Sequence, residues 1–460
     1  MICVSIGRTR HKMMLAEHRH LAGRGAELVE FRLDWLGRHP DVARLLNDRP
    51  TPCIVTCRKK EDRGRWRGTE EQRLTVLRTA IVQGADYVDL EDDIAGQVPR
   101  YGETKRIISH HNFDETPRNI AEIHERLCGL DPDVVKIVTM AHAPTDAVRM
   151  LQLVANAKVP TVGFCMGEFG LFSRILCGKY GSPFTYASFS PERELAPGQI
   201  DFGQMKEVYH FDEINAETTV FGVLGDPIAH SLSPLIHNTA FRREGLNCVY
   251  LPLRVSPDGL IDTLGAFDAL EFRGYSVTIP HKQAVIPKAA EQDDAVRSIG
   301  AANTLVRQED GTWHAANTDY AAALASIRAG LKAKDGVATL DGRNVLVLGS
   351  GGAARAIGRA MSDAQAALTI ASRTNPRAAA LAQELGCRHI QWENRGTVFA
   401  DVLINCTPVG MHPNVDDTPF AENWLREGML VFDTVYNPEN TLLLKQARER
   451  GCQTVSGLEM

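Results

Sequence analysis

The sequence predicts an α/β protein in two parts: a (β/α)8 barrel, then a two-domain α/β unit whose second domain is a Rossmann-like doubly wound sheet. Three observations predict it. Short β-branched runs alternate with helix-like stretches up to Ser188, the rhythm of a parallel barrel. A buried-type strand, a glycine turn and a helix follow one another in RNVLVLGSGGAARAIGRAM (343–361), the opening of a doubly wound sheet. The chain's 460 residues are also too many for a single hydrophobic core.

The barrel strands read, in order, ICVSI, ELVEFRL, CIVTC, YVDL, RIISH, VVKIV, PTVGF and FTYAS. The stretch 199–217 breaks the rhythm and marks a boundary. It is short and holds aromatics, so the two parts are expected to stay close rather than swing on a tether. TTVFGVLGDPIAHSLSP (218–234) opens a second α/β unit that runs to about Tyr320. Beyond the glycine turn, ALTIAS, VLINC and LVFDTVY read as strands and NTLLLKQARERG as a helix. The expected domains are 1–214, 215–322 and 323–438, with a C-terminal helix over 439–460 packing back on the middle domain.

Composition narrows the class. Apolar residues make up 44% and charged residues 23%, the balance of an ordinary folded protein. A formal net charge of -6 leaves no basic footprint for nucleic acid. No apolar run approaches the ~20 residues of a membrane span, and MICVSIGRTR lacks the apolar core of a signal peptide. Ten cysteines occur without a CxxC pair, and Cys53 and Cys57 read as residues of one strand. That usage fits reduced thiols in a cytoplasm better than disulfides or a zinc site. The expectation is a cytoplasmic enzyme acting on small molecules, with no metal and no nucleic-acid or membrane partner.

In a parallel barrel the chemistry gathers at the C-terminal ends of the strands. Glu30 and Arg32 lie on the second strand and Arg58 just follows the third. His110 and His111 close the fifth, Lys136 interrupts the sixth, Arg174 follows the seventh and Gln199 the eighth. A lysine inside Val134-Val135-Lys136-Ile137-Val138 points more plausibly into the barrel than onto its apolar outer side. Desolvation and neighbouring arginines favour the neutral amine that imine formation needs. A histidine one strand away serves as a proton shuttle. Several arginines at one mouth suit an anionic substrate, such as a carboxylate.

EFRLD, TCRKK, ISHHNFDETP, DVVKIV, MGEFGLFSR, GSPFTYAS and APGQI, in this order, resemble type I 3-dehydroquinate dehydratases over residues 1–205. The resemblance implies a Schiff base between Lys136 and the C3 ketone of 3-dehydroquinate. It gives His111, in Ser109-His110-His111-Asn112-Phe113, the C2 proton and then assistance to the departing C1 hydroxyl. Glu30, Arg32 and Arg58 would bind substrate hydroxyls and carboxylate, Arg174 the carboxylate and Gln199 the ring. Two positions depart from the family: Asp62 stands where a glutamate orients the histidine, and Leu195 where a hydroxyl residue precedes APGQ.

In the second part, Gly349, Gly351 and Ala354 form a GxGxxA pattern between a strand and a helix. This turn, Gly349-Ser350-Gly351-Gly352-Ala353, would offer backbone N–H groups to a pyrophosphate. The next strand ends in Ser372-Arg373-Thr374, with Arg377 following. An arginine there, in place of an acid, favours the 2′-phosphate of NADP over the free ribose of NAD. Ser231 and Ser233 of SLSP, Thr278 and Lys282 of SVTIPHK, Asn303 of AANT and Asp319 of ANTD supply a lysine, a carboxylate, hydroxyls and amides suited to a polyol.

These motifs, with INCTPVGM and FDTVYNP, resemble shikimate dehydrogenases over residues 218–460. The resemblance implies that Lys282 and Asp319 handle the proton at the C3 oxygen while NADPH reduces the 3-keto carbon. Ser231, Ser233, Thr278 and Asn303 would bind shikimate, and Tyr436 would lie near substrate and nicotinamide. Ser276 stands where the family commonly has asparagine. The family also continues past GLEM into a helix whose glutamine bonds the substrate; the sequence stops at Met460, so weaker substrate binding is expected. Together the two resemblances imply consecutive reactions, with 3-dehydroquinate, 3-dehydroshikimate and shikimate as the small-molecule partners. Fusions of this kind resemble bifunctional proteins of plants. A dual quinate/shikimate specificity, or a metabolite-sensing regulator on the same folds, are the alternatives. Retention of Lys136, His111, Lys282 and Asp319 argues against the regulator.

Overall fold

The computed structural model describes residues 1–229 and 231–460 and divides into two compact units, Met1–Arg273 and Gly274–Met460. The first unit opens with β1 (Ile2–Ile6), β2 (Leu28–Arg32), β3 (Cys53–Thr56), β4 (Tyr87–Glu91), β5 (Lys105–Asn112), β6 (Val134–Met140), β7 (Thr161–Met166) and β8 (Thr185–Ser188). They form an 8-stranded parallel sheet in the order β7-β6-β5-β4-β3-β2-β1-β8, closed between β1 and β8 by the register Ile2↔Thr185 to Ser5↔Ser188. All the predicted runs are strands, and the sheet is a near-closed barrel: no ladder joins β7 to β8 among the described residues. Side chains span that opening, with the Thr185 hydroxyl donating to Arg174 O at 2.8 Å and Phe164 lying 6.2 Å from Tyr186.

The helices of the barrel are α1 (His11–Gly23), α2 (Val42–Leu46), α3 (Glu70–Val82), α4 (Ile120–Cys128), α5 (Pro144–Ala155), α6 (Leu171–Leu176) and α7 (Phe202–Glu207). Local sequence fixes their starts. Thr69 and Gln72 close a reciprocal capping box on α3, at 3.3 and 2.9 Å. Asp41 accepts from Arg44 N–H to begin α2. The boundary stretch 199–217 is not plain linker. It contains α7, begun by the Asp201 cap, and buries Phe202 and Phe211.

Inside the barrel an apolar cluster of Cys3, Leu28, Ile54, Ile107, Val134, Val162 and Phe184 underlies a polar mouth. The period of two decides which residues reach that mouth. Along β5, His110 turns outward to Asp92, 3.0 Å away, while Ser109 and His111 face inward.

The first unit continues with β9 (Thr219–Gly225), α8 (Ser233–Arg243), β10 (Cys248–Arg254) and α9 (Leu260–Phe267), with β9 and β10 parallel. This segment belongs to the same compact unit as the barrel. Phe172 of α6 meets Phe267 of α9 edge to face at 5.5 Å, and both rings are buried.

The second unit starts with β11 (Gly274–Val277), β12 (Glu291–Gln292), α10 (Asp294–Ile299), β13 (Thr304–Arg307), β14 (Trp313–Ala316) and α11 (Asp319–Asp335). β13 pairs antiparallel with β11 and β14, and β12 joins β14 in parallel. Then come β15 (Asn344–Leu348), α12 (Gly352–Asp363), β16 (Ala367–Ser372), α13 (Asn375–Leu385), β17 (Arg388–Gln391), β18 (Val402–Asn405), β19 (Leu430–Asp433), α14 (Leu442–Glu449) and β20 (Gln453–Val455). They make a fully parallel sheet in the order β17-β16-β15-β18-β19-β20. This is the doubly wound order, whose direction reverses between β15 and β18. The strand β15 is apolar on both faces: Val345 and Val347 enter one core layer, Leu346 and Leu348 the other.

The C-terminal segment differs from expectation. Only Leu442–Glu449 is helical; Gly451, at φ 74°, turns the chain, and β20 then pairs with β19 in the doubly wound sheet. The segment therefore completes that sheet and is not a helix returning to the middle domain. No helix among the described residues is long and apolar enough to cross a membrane.

Candidate active sites

A small cavity of about 70 Å³ lies in the barrel mouth, and every predicted residue of the first half lines it: Glu30, Arg32, Arg58, His111, Lys136, Arg174 and Gln199. Asp62 and Leu195, the two departures from the family pattern, line it as well. His110, the competing histidine, does not, because strand alternation turns it to the outside.

Lys136 is buried, with Nζ 3.0 Å from Asp89 Oδ2 and 3.8 Å from Glu30 Oε1, and 4.0 Å over the Tyr186 ring. Arginines were expected to be its decisive neighbours; two carboxylates hold the amine instead. Only the neutral amine attacks a carbonyl, and Asp89 and Glu30 are the carboxylates nearest to it.

Asp89, absent from the sequence expectations, is the hub. It accepts from Lys136, from Arg58 Nη2 at 2.9 Å and from the Ser109 hydroxyl at 2.7 Å. Burial alone would raise its pKa, but Arg58, then Lys136, hold it well below the ordinary carboxylate range. Its sequence signal was the same one that exposed Lys136: a charged residue inside the apolar strand YVDL.

Burial, then Arg58 and Lys136, push His111 well below the ordinary imidazole pKa, so the ring is neutral at pH 7. Its Nδ1 lies 3.6 Å from Asp62 Oδ2 and makes no hydrogen bond among the described residues, so the shorter acid falls just short of it. Burial also raises the Asp62 pKa. The loop carrying Asp62 folds back over the mouth because Gly64 packs against the Arg58 carbonyl. A Cβ at that position would stand 2.1 Å from Arg58 O. The same turn places Arg63, at φ 56°, over the Phe113 ring at 4.5 Å and on the cavity wall. Arg63, Ser5 and Tyr186 are lining residues that sequence reasoning missed.

Arg32 is paired with Asp34 through two bonds of 2.9 Å. Arg174, 1% exposed, is different: its Nε and Nη2 have no hydrogen-bond partner among the described residues. Burial lowers its pKa to about 10, which leaves it cationic at neutral pH. A buried guanidinium of this kind can pair with a carboxylate. Gln199 accepts from Leu195 N–H at 2.9 Å, bracing the β8–α7 loop over the cavity.

In the second unit the structure brings Lys282, Asn303 and Asp319 together. Lys282 Nζ pairs with Asp319 Oδ2, and Asn303 Nδ2 donates to Asp319 Oδ1 at 2.8 Å. Asp319 starts α11, its N–H bonding Asn317 Oδ1 at 3.0 Å. Thr278, after β11, and Tyr436, an exposed residue after β19, belong to the same unit. Neither is hydrogen-bonded to that trio among the described residues. Ser231 and Ser233 belong to the first unit, where the Ser231 hydroxyl accepts from Ser233 N–H at 3.3 Å at the start of α8.

The turn between β15 and α12 fits a dinucleotide. Gly349 has φ 122°, and a Cβ there would meet Cys406 O at 2.8 Å. The N-cap Gly351 contributes no side-chain bond, so the first N–H groups of the twelve-residue α12 are left for an anion. Ser350 donates to Ser372 at 3.1 Å, tying the turn to the end of β16, where exposed Arg373 stands with Thr374 and Arg377. No acid occupies that end to hold a free ribose hydroxyl pair. A Cβ at Gly352 would approach Lys282 Cδ to 3.0 Å, so the dinucleotide turn and the lysine–aspartate pair are neighbours.

The INCTPVGM and FDTVYNP motifs form one buried brace. Asp433 accepts from Asn405 Nδ2 at 2.9 Å, Val435 N–H at 3.0 Å and the Thr441 hydroxyl at 2.7 Å. Burial raises the Asp433 pKa to about 6.

Comparisons with known proteins match three family models along the chain. "Type I 3-dehydroquinase" matches residues 2–216, "Shikimate dehydrogenase substrate binding domain" residues 223–305, and "Shikimate / quinate 5-dehydrogenase" residues 331–416. The "Shikimate dehydrogenase (NADP(+))" of Moorella thermoacetica is 40% identical over 263 residues, covering 54% of this chain and 85% of the relative. That of Methanothermobacter thermautotrophicus is 38% identical over 260 residues, covering 54% and 88%. The "Bifunctional 3-dehydroquinate dehydratase/shikimate dehydrogenase, chloroplastic" of Arabidopsis thaliana is 36% identical over 482 residues, covering 100% of this chain and 80% of the relative. Similarity at that level along the whole length shows the family, and the chain belongs to the bifunctional 3-dehydroquinate dehydratase/shikimate dehydrogenases.

Proposed function

We infer that the chain dehydrates 3-dehydroquinate to 3-dehydroshikimate in the barrel and reduces that product to shikimate in its second half. The observation that carries the first activity is the convergence of Lys136, His111 and Arg174 on one buried cavity. Arg174 receives the substrate carboxylate. The neutral amine of Lys136 attacks the C3 ketone, and loss of water gives an iminium. Neutral His111 takes the C2 proton, the iminium accepts the electron pair, the protonated histidine helps the C1 hydroxyl leave as water, and hydrolysis of the product iminium frees 3-dehydroshikimate and the Lys136 amine. Asp89 holds Lys136 and Arg58 in register, and Arg58, Arg32, Glu30 and Gln199 bind the ring substituents.

NADP is the cofactor of the second activity. The backbone of Gly349-Ser350-Gly351-Gly352-Ala353 would hold its pyrophosphate, and Ser372, Arg373, Thr374 and Arg377 its 2′-phosphate. When bound in reduced form it supplies the hydride for the 3-keto carbon. Lys282 and Asp319 hand the proton to the C3 oxygen, with Asn303 orienting the carboxylate. Thr278 and Tyr436 contribute further substrate contacts, and Ser231 and Ser233 are the shikimate-binding hydroxyls that the family resemblance implies. The domains are read as 1–214, 215–322 and 323–438, the last extended to the C-terminus by α14 and β20, which complete its sheet. All ten cysteines are unbridged, which suits a reducing compartment such as the cytoplasm.

The test is NADPH consumption by the purified chain given only 3-dehydroquinate. Steady consumption supports both activities in series. Consumption only after adding 3-dehydroshikimate refutes the barrel's role, and none at all refutes the second.

A further inference from the structure

At the end of β10, Arg254 makes contacts that run across the fusion. Its Nη1 lies 2.7 Å from Glu168 Oε2, its Nε 2.8 Å from Asp226 Oδ1, and its guanidinium 4.9 Å over the Phe169 ring. Glu168 and Phe169 belong to the barrel, in the loop between β7 and α6; Asp226 directly follows β9, on the stretch leading to Ser231 and Ser233. All of these residues lie in the first compact unit.

The β7–α6 loop is part of the dehydratase mouth. Before it, Met166 lines the cavity, and beyond it α6 carries Arg174. Gly167 N–H donates to Pro197 O at 3.4 Å, and a Cβ at Gly198 would come within 3.2 Å of the Gly167 backbone. The loop thus supports the stretch whose Leu195, Ala196 and Gln199 roof the cavity. Nearby, Phe172, two residues before Arg174, packs on Phe267 of the second half.

We propose that Arg254 is a positioning residue shared by both activities, one cation that fixes the β7–α6 loop of the dehydratase and the Asp226 loop of the dehydrogenase. It touches no substrate. Its charge neutralises a carboxylate from each half, so loss of either pairing loosens both loops. The pairs are partly solvated, with side-chain exposures of 33% for Arg254, 51% for Glu168 and 21% for Asp226, so the effect is moderate.

The test rests on the proposed bifunctional activity and uses the full chain. Wild type, Arg254→Ala, Arg254→Lys and Glu168→Gln are compared for KM and kcat, with 3-dehydroquinate for one activity and with shikimate and NADP for the other. Arg254→Ala is expected to raise the dehydratase KM about two- to fivefold with kcat little changed, and Arg254→Lys to restore most of it. Glu168→Gln, a half-exposed change on the barrel that leaves folding intact, is expected to raise the KM for shikimate about twofold, an effect no local role in the barrel produces. Wild-type KM values in both Arg254→Ala and Glu168→Gln overturn the proposal, as does a Glu168→Gln effect confined to the dehydratase. An inactive wild type instead overturns the functional assignment, which keeps the two failures distinct.

Discussion

Neutralising Asp89 is the sharpest perturbation of the barrel. Its carboxylate is fully buried and accepts from Arg58, Lys136 and Ser109 at 2.9, 3.0 and 2.7 Å. Removing one partner from a buried ion pair costs about 3–5 kcal/mol, because the other charge stays buried. In Asp89→Asn the amide keeps an acceptor oxygen, and Arg58 keeps Glu91 at 3.3 Å, so this variant belongs near the low end, about 3 kcal/mol. For a barrel of this size that lowers the midpoint of its thermal transition by about 6–12 °C. The sign with pH follows from the depressed pKa of Asp89. Its stabilisation is complete above the unfolded carboxylate value near 4 and is lost as pH falls through the lower folded value. Calorimetry of variant and wild type at pH 7 is expected to show the full gap, and at pH 3 a smaller one. The dehydrogenase rate is the internal control for a folded second half. A variant midpoint within about 2 °C of wild type at pH 7 refutes the hub role, because Arg58 and Lys136 would then be served by Glu91 and Glu30 alone.

Asp62→Glu adds the methylene that closes the 3.6 Å gap to His111. A new hydrogen bond worth about 1 kcal/mol raises the dehydratase kcat about fivefold, and an unchanged pH–rate profile counts against it. Asp319→Asn is expected to lower the dehydrogenase kcat by about 10²–10⁴ while the dehydratase is untouched, measured on one preparation. Arg373→Ala should raise the KM for NADPH about tenfold or more and leave that for NADH unchanged; an equal loss for both would remove Arg373 from the 2′-phosphate. Asp433, raised to about 6 by burial, favours its protonated form in the fold. Lowering pH from 7 to 5 therefore stabilises the second unit by an increment of about 1–2 kcal/mol that Asp433→Asn lacks, and parallel pH–midpoint curves would contradict this.

Most of the barrel was legible because its strands are short apolar runs whose interruptions are the functional residues. Lys136 was found that way, and Asp89 carries the same signal in YVDL, unused because no motif drew attention to it. The choice between His110 and His111 also follows from strand alternation, which sends the first to Asp92. Arg63 was hidden for another reason. It reaches the mouth only through a left-handed turn whose tightness depends on Gly64 meeting the Arg58 carbonyl. In the second unit the glycine turn and its arginine were readable from local pattern. β17 and β20 were not, since RHIQ and QTV are too short and polar to announce strands and are recruited by pairing with a preformed sheet. The contacts of Arg254 with Glu168, and of Gly352 with Lys282, join residues far apart in sequence and leave no local trace.

Two buried nitrogens of Arg174, Nε and Nη2, carry three N–H groups that find no bonding partner among the described residues, and a buried donor left unpaired costs about 1–3 kcal/mol. The folded barrel is thus frustrated at one point, and a bound carboxylate relieves that frustration in the same act that selects the substrate. Stability and recognition share one residue. Replacing Arg174 by a neutral side chain of similar shape would give a barrel that melts higher and binds worse. A carboxylate ligand raises the melting temperature of the native barrel by mass action and leaves the variant's where it was. Part of the barrel's marginal stability is, in this sense, held in reserve for its substrate.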